Sequence, residues 1–450
     1  MKRIFLLMTI IGLTIINCLI VKAETTIVTF PTDEEINQTG GPQILSMSRN
    51  GRYCLGANYY SGGVIYDSFE KTLIPTYASA ISNDGTAIVG NSTVNIHTGE
   101  RRQLQIKESD FKFVMTTAIS DDGRIVIGMG GPTWTNLNPC YWEDEEMHLL
   151  PYPTTEDVQN FKINGCEARF INHDGTVIVG KLVANPNTFP MIVWVRQSDG
   201  SYEYIDTWSE LYEPIHGWAY DETTGESFLI KGNNPWMKME PGPISGDGKT
   251  ISLYLQDNSS DDAVPPMQLG FYHLDSGEIE VWPLDPEDMF GEAEEFVLTG
   301  MSQDLTVVGI TGALGRNPIP FIKKHGKKPI YLNDAFPELD ELQVFDDCLK
   351  DGLPYLLSGI SDDGRYLTGY CTSIFNYSTG GGSGQDLAFT GYFIDRGEDN
   401  ADTNGVGTVI LDGSDEEKPE YFTIDGIKVP NPGKGLYIVK QKGKPRLIVN

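Results

Sequence analysis

The chain has 450 residues, with 63 Asp and Glu against 33 Lys and Arg and a formal net charge of −30. That balance excludes nucleic acid as a partner, since a phosphate backbone is held by clustered Lys and Arg, and it argues against anionic membrane surfaces. The six cysteines include no C-x-x-C spacing, so neither a zinc ribbon nor a haem attachment is indicated, and a chain of this length builds a core for which disulfides are optional.

Lys2 and Arg3 precede an uncharged apolar run from Ile4 to Ile20, and Val21-Lys22-Ala23 places a small-x-small site before Glu24. This is the pattern of a secretory signal peptide over residues 1–23. A membrane span is the rival reading of so long a run. The Ala23 site, and the lack of a later apolar stretch of that length, favour removal and leave no transmembrane span. Asn17 is not the small residue that lipid attachment at Cys18 would take. Processing removes Lys2, Arg3 and Lys22 and no acid, so the mature chain is more acidic still. Cys54, Cys140, Cys166, Cys348 and Cys371 remain, an odd set expected to serve as small buried apolar residues.

From Met47 onward one ten-residue pattern recurs, beginning at Met47, Ile81, Ile119, Ile171, Ile244, Met301 and Ile360. Its clearest form is Ile119-Ser-Asp-Asp-Gly-Arg-Ile-Val-Ile-Gly128. The fifth copy lacks the final glycine, and the sixth has Leu305 where the turn glycine belongs. Each copy reads as a strand end, a tight turn at Asn/Asp-Gly, and a new strand, because this pair tolerates the positive φ that such a turn needs. The Ser and Asp side chains can bond the turn's own amides, so the turn explains the aspartates without making them a ring of ligands or catalysts. The apolar run after the turn does not alternate, as expected of a strand covered on both faces.

A second half follows almost every copy: an aromatic strand, a short polar turn and a further strand, as in Cys140-Tyr-Trp-Glu-Asp-Glu-Glu-Met-His-Leu-Leu150 and Gly270-Phe-Tyr-His-Leu-Asp-Ser-Gly-Glu-Ile-Glu-Val-Trp282. Four antiparallel strands in each of seven units predict an all-β fold, a seven-bladed β-propeller over residues 24–396. The copies are unevenly spaced, and the excess over about 40 residues for a bare four-stranded blade is loop. The seventh unit has its aromatic strand, Thr390-Gly-Tyr-Phe-Ile-Asp395, but no outer one, whereas Thr25-Thr-Ile-Val-Thr-Phe30 is a strand without a unit. Residues 25–30 are therefore predicted to complete the seventh blade and close the ring. Val409-Ile-Leu411 is the competing candidate for that edge.

The Ile-Ser-x-Asp-Gly-x-x-Ile-Val-Gly pattern resembles the extracellular repeats of the HAF type, found in exported bacterial propeller-like proteins, across residues 47–396. The resemblance implies an architecture and no single activity.

Residues 397–418 are acidic and rich in Gly, Asp and Asn, and read as a linker. Within it Asn400-Ala-Asp-Thr-Asn-Gly405 is similar to the start of an EF-hand loop, but the first ligand is Asn and the bidentate Glu position is Leu411, so a flexible turn is the stronger reading. Residues 419–450 read as a small C-terminal β module of three short strands, Tyr421–Val429, Lys434–Lys440 and Pro445–Val449. Asp425, Gly426, Val429, Lys434, Gly435, Tyr437, Ile438 and Val439 resemble the C-terminal sorting domain of type IX secretion cargo in the Bacteroidetes. That resemblance implies handling by an outer-membrane secretion machinery and a secreted or outer-surface location in a Gram-negative bacterium. The alternative is a small β appendage of the propeller.

With antiparallel strands, the Asp-Gly turns and the second-half turns must share one face, and the long loops must share the other. Those loops hold Trp134, the segment 206–241 with Trp208, Trp218 and Trp236, and Phe375 and Tyr377 beside a glycine run at Gly380–Gly382. Aromatic residues there suit stacking on sugar faces or docking of a protein, or they pin the loops locally. Residues 337–349 have near-helical apolar spacing and predict a short helix. No H-x-x-x-H pair, Gly-x-Ser-x-Gly elbow or phosphate loop is present, so no metal and no cofactor are expected. His216 with Glu213 and Asp221 is the best acid/base cluster available. The expected function is a non-catalytic binding or scaffold protein for a glycan or protein ligand. A polysaccharide-acting hydrolase or lyase is the alternative, one that would need paired carboxylates.

Overall fold

A computed structural model describes residues 26–30, 42–58, 62–107, 111–133, 136–153, 162–185, 191–205, 207, 217–221, 226–230, 236–257, 267–282, 295–312, 319–336, 355–379, 382–397, 408–410, 420–423, 428–429, 436–441 and 444–449. The chain divides into two compact units, Met1–Ile410 and Leu411–Asn450. The first is a seven-bladed β-propeller. Among the described residues the only helical element is a single turn, Leu332–Ala335.

The third blade shows the plan. Its innermost strand Phe113–Ile119 turns at Asp121–Gly123 into Ile125–Thr133, followed by Asn136–Glu143 and the outermost Glu146–Leu149, all antiparallel neighbours in order. Blades one, four, five and six repeat it over residues 43–74, 162–205, 236–282 and 295–331. In the second blade the innermost strand is short: Ile81 bridges Ala87, and the Ser79 and Ile88 amides donate to the Ile88 and Ala80 carbonyls at 3.0 and 2.9 Å.

The turns explain why the motif recurs. In all seven, the side-chain oxygen at the second position, for example Ser120 Oγ, accepts a hydrogen bond from the backbone amide of the strand beyond the turn, at 3.0 Å from Ile125 N in this case. The same side chain donates to the Asn or Asp at the fourth position, through the hydroxyl in the six Ser copies, at 2.6 Å for Ser120 to Asp122, and through Nδ2 of Asn172 in the fourth. The fourth residue in turn accepts from the backbone two residues on, at 3.0 Å for Arg124 N to Asp122. The conserved-looking aspartates are thus consumed by their own turns, as local side-chain bonding of Asx and Ser requires. Leu305 adopts the same geometry as the glycines it replaces, at φ 60°, so its departure from the motif alters strain and not shape.

The apolar run after the turn is covered on both sides: Ile125, Val126 and Ile127 are all buried. Bulky side chains of the aromatic strands, Trp142, Trp194, Phe271, Phe321 and Tyr392, are buried between blades. Cys54, Cys140 and Cys166 are buried thiols, as expected, with Cys54 pushed up to about 12 by burial. Cys371 departs from that reading, since it is disulfide-bonded.

Closure follows the predicted route. Thr26–Thr29 pairs antiparallel with the end of the strand Gly382–Asp395, with Ile27 opposite Ile394 and Thr29 opposite Tyr392. The competing candidate is used as well: Thr408–Ile410 adds a fifth strand, parallel to Thr26–Thr29, on its outer edge. Two long-loop readings need correction. Residues 374–379 and 382–384 are strand and not loop, because Tyr366–Thr379 and Gly382–Asp395 stay paired out to Thr379 opposite Gly382, as a ladder of backbone bonds is cheaper to extend than to break. Within 206–241, Gly217–Asp221 and Glu226–Ile230 form a hairpin, and Trp236 begins the first strand of the fifth blade. The predicted helix at 337–349 and residues 1–23 lie outside the described residues. The second unit is a four-stranded sheet, ordered Lys428–Val429, Glu420–Thr423, Leu436–Gln441, Lys444–Val449, so the expected first strand is two.

Ile27 is 1% exposed and sits in the core formed with Leu367, Tyr392 and Ile394. Ile27→Ala should lower stability by about 2–5 kcal/mol through the lost transfer energy and the cavity left behind. Urea midpoints with an unchanged m-value would show it, and a loss below about 1 kcal/mol would mean that this strand does not hold the ring.

Candidate functional site

The third residues of the seven motifs gather near the axis of the ring. These residues are Arg49, Asn83, Asp121, His173, Gly246, Gln303 and Asp362, one per blade in ring order. Backbone amides of Asn83, Asp121, His173, Gln303 and Asp362 donate to the carbonyls of Asp121, His173, Gly246, Asp362 and Arg49 in the next blade, at 2.7 to 3.0 Å. The two remaining links use side chains: Asn50 N donates to Asn83 Oδ1 and Asp247 N to Gln303 Oε1, each at 3.0 Å. The hydrogen-bonded circle is complete.

Inside that circle lies a network of charge. His173 Nδ1 contacts Asp121 Oδ2, and His173 Nε2 lies 2.6 Å from Asp362 Oδ2, an ion-pair contact without hydrogen-bond alignment. Arg49 lies 3.4 Å from Asp362 and 3.7 Å from Asp121, and its other donors reach the carbonyls of Ile171 and Ile244 in the fourth and fifth blades. Asn83 Nδ2 donates to Asp121 Oδ2 at 2.7 Å. The Asp121 carboxylate, and then that of Asp362, hold a proton on the imidazole and push the His173 pKa up to about 9. Gly246 makes room for the ring: a Cβ there would come within 2.0 Å of His173 Nε2.

Among the described residues Asp121, His173 and Asp362 are the group whose atoms approach closely enough to share a cation. Arg49 and the imidazolium already balance both carboxylates, and a metal would have to displace that proton. The arrangement is a self-neutralising plug on the axis, at the face where the tight turns gather.

On the opposite face, between the third and fourth blades, where the strand ends at Thr133 and Asn136, the crossover from Leu149 and the start of the strand Lys162–Ile171 meet, a cleft of about 650 Å³ is lined by nine described residues. Its floor is Leu150, Pro151, Tyr152 and Pro153, and Asn136 and Asn164 stand at its sides. The floor is fixed from behind: Leu150 N donates to Pro139 O at 2.9 Å, the buried Trp194 indole donates to Pro151 O, and the Tyr152 hydroxyl donates to Asn138 Oδ1 at 2.9 Å. Asn164 is the extra residue of a β-bulge, skipped between the pairs Ile163–Ala184 and Gly165–Val183, and its side chain is exposed. Bulges re-aim side chains in this way.

Of the predicted site residues, Trp134 and Trp208 lie outside the described residues. Trp218 is opposite Leu229, Trp236 opposite Asp257, Phe375 opposite Asp386 and Tyr377 opposite Gly384 in their ladders, which makes all four strand residues, while their side chains lie outside the described residues. His216 and Glu213 also lie outside them, as does the side chain of Asp221. Sequence reasoning missed the axial network because it sits at the position where the repeat varies. That variation was the available signal, since a charged residue at a fixed place beside a tight turn has to face something. The cleft was missed because its sides, at Asn136, Leu149 to Pro153 and Ile163 to Gly165, meet only when the two blades pack together.

No family model matches the chain, and no curated protein matches it. Solved structures do. An oligogalacturonate lyase from Vibrio parahaemolyticus is 11% identical over 83% of this chain and 98% of that one, with a TM-score of 0.45. TolB from Acinetobacter baumannii is 12% identical over 64% of this chain and 62% of its own length, at 0.32. The β-propeller domain of the Trilobed protease from Pyrococcus furiosus is 12% identical over 78% of this chain and 93% of that one, at 0.39.

The axial network gives a pH signature. A folded-state pKa of about 9 for His173, above its usual 6.5, makes its stabilisation complete below 6.5 and lost as pH rises through about 9. His173→Gln should therefore be less stable than the wild type near neutrality and converge with it above about pH 10, read as urea midpoints across that range. Gly246→Ala should lower stability by about 1–3 kcal/mol by displacing the ring. A parallel pH dependence in His173→Gln and wild type would remove His173 from the plug.

Proposed function

We propose that this chain is an exported, non-catalytic binding or scaffold protein of the outer cell surface that engages a glycan or protein ligand on its long-loop face. The observation that carries the proposal is the inequality of the two faces. One is lined by tight turns whose polar groups are internally satisfied and is plugged on the axis by Arg49, Asp121, His173 and Asp362. The other receives the crossovers, the extra hairpin Gly217–Asp221/Glu226–Ile230, the extension of the seventh blade and the cleft beside Tyr152. Ligands settle where a rigid scaffold presents its loops.

Export is supported by the residue pattern of 1–23, and surface delivery by the likeness of 419–450 to type IX sorting domains. The repeat itself is similar to the HAF type of exported proteins. Among the described residues no helix is long and apolar enough to cross a membrane. The paired carboxylates found near an imidazole, Asp121 and Asp362, are both engaged by Arg49 and His173 in the plug, which supports binding over hydrolysis.

Trp218→Ala and Trp236→Ala should abolish binding of the mature protein to its ligand on a glycan array. Release of soluble product from a polysaccharide panel would replace this reading with the enzymatic one.

A further inference from the structure

The geometry points to the cleft between the third and fourth blades as a subsite for an uncharged oligosaccharide, with half-buried Tyr152 and exposed Pro151 as platform and the amides of Asn136 and Asn164 as hydrogen-bonding rim. This deepens the reading of the long-loop face as a binding face and rests on it.

Three observations carry the assignment. The first is size: about 650 Å³ falls within the range of small-ligand sites. The second is charge. None of the nine described lining residues bears a formal charge, in a chain with 63 acids and 33 bases. An ionic ligand would leave water for a described lining that offers it no counter-charge, whereas a neutral one loses little. The third is the pairing of chemistries. Apolar ring and proline faces suit the C–H faces of a sugar, and each primary amide offers both donors and an acceptor, matching hydroxyls that do the same. An apolar peptide anchor would suit the floor but leave two amides to be desolvated without partners, at a cost.

The platform is also rigid before any ligand arrives. Pro151 and Pro153 have fixed φ, the Pro151 carbonyl is held by Trp194, and the Tyr152 ring is tied through its hydroxyl to Asn138. A pre-ordered platform loses little freedom on binding.

The test uses the full mature protein on an array of neutral and acidic glycans, followed by titration calorimetry with the best neutral hit. Asn136→Ala and Asn164→Ala, both at exposed positions, should each weaken binding roughly ten-fold with unchanged melting temperature. Tyr152→Ala should lose binding, and Tyr152→Phe should retain most of it. Glycan binding that the asparagine variants leave intact, but Trp218→Ala or Trp236→Ala removes, would overturn the cleft assignment and leave the binding face standing. Binding confined to acidic glycans, or to peptides, would overturn the ligand class. A blank array with a blank peptide library would sink the binding-face reading and the cleft together.

Discussion

Each tight turn satisfies most of its polar groups internally, and in five of the seven links what it leaves over is an amide and a carbonyl at the third residue. Those two groups meet their counterparts in the neighbouring blades, so the amide of Asp121 reaches His173 and that of His173 reaches Gly246. The geometry of every blade relative to the axis depends on this circle of bonds. A buried amide left unpaired costs about 1–3 kcal/mol, so the ring is held most firmly where blades converge. A second set of links lies farther up the inner strands, where hydroxyls at the bulges cross to the next blade: Thr117 to Ala168, Thr299 to Leu357 and Ser358 to Ile44, at 2.6 to 2.9 Å. The bulge and the turn act together, the first aiming a hydroxyl sideways and the second aiming an amide.

Tight packing at one end has a consequence for the other. Seven turns crowd the axis at the turn face, and the third-position side chains must share a small space with their charges balanced. Arg49 and an imidazolium against two carboxylates achieve that, and the smallest residue, Gly246, sits against the His173 ring. Among the described residues no such circle ties the opposite face, where chain can be inserted without disturbing the turns. Loop length is inexpensive there, since closure entropy grows only with its logarithm. The segment between the fourth and fifth blades therefore carries its own hairpin, and the seventh blade extends far beyond its neighbours.

Architecture was legible because it is written in backbone terms. A Ser or Asn two residues before an Asn or Asp that is almost always followed by Gly specifies a turn, and seven such turns specify a ring. The closing strand was legible because Gly391–Asp395 lacked an outer partner and Thr26–Thr29 lacked a blade. Long-loop aromatics were misjudged in their backbone, since glycine-rich sequence around Gly380–Gly382 suggested irregularity where ladder pairing continues on both sides. Side-chain convergence was not legible at all. Arg49 and Asp362 are 313 positions apart, and only the closed ring brings them together. The same holds for the cleft: Asn138 and Tyr152 look like neighbours of no consequence until the crossover folds the ring of Tyr152 back beneath them.

The seventh blade bears on how the ring is assembled. Ile27 pairs with Ile394 across almost the whole propeller sequence, and that pairing cannot form until nearly all of the domain has been made. Long-range pairing of this kind is the slow step of β-rich folds. Until it forms, the strand Gly382–Asp395 presents an unpaired edge, open to another chain. Thr408–Ile410 then covers the far side of Thr26–Thr29 in parallel, so that the closing strand is itself enclosed on both sides. A four-residue closing strand has few backbone bonds with which to resist opening. The added strand supplies more of them, from chain that lies just beyond the seventh blade and needs only a short connection to reach it. Closure is thereby shared between a distant segment, which completes the ring, and a near one, which holds the first in place.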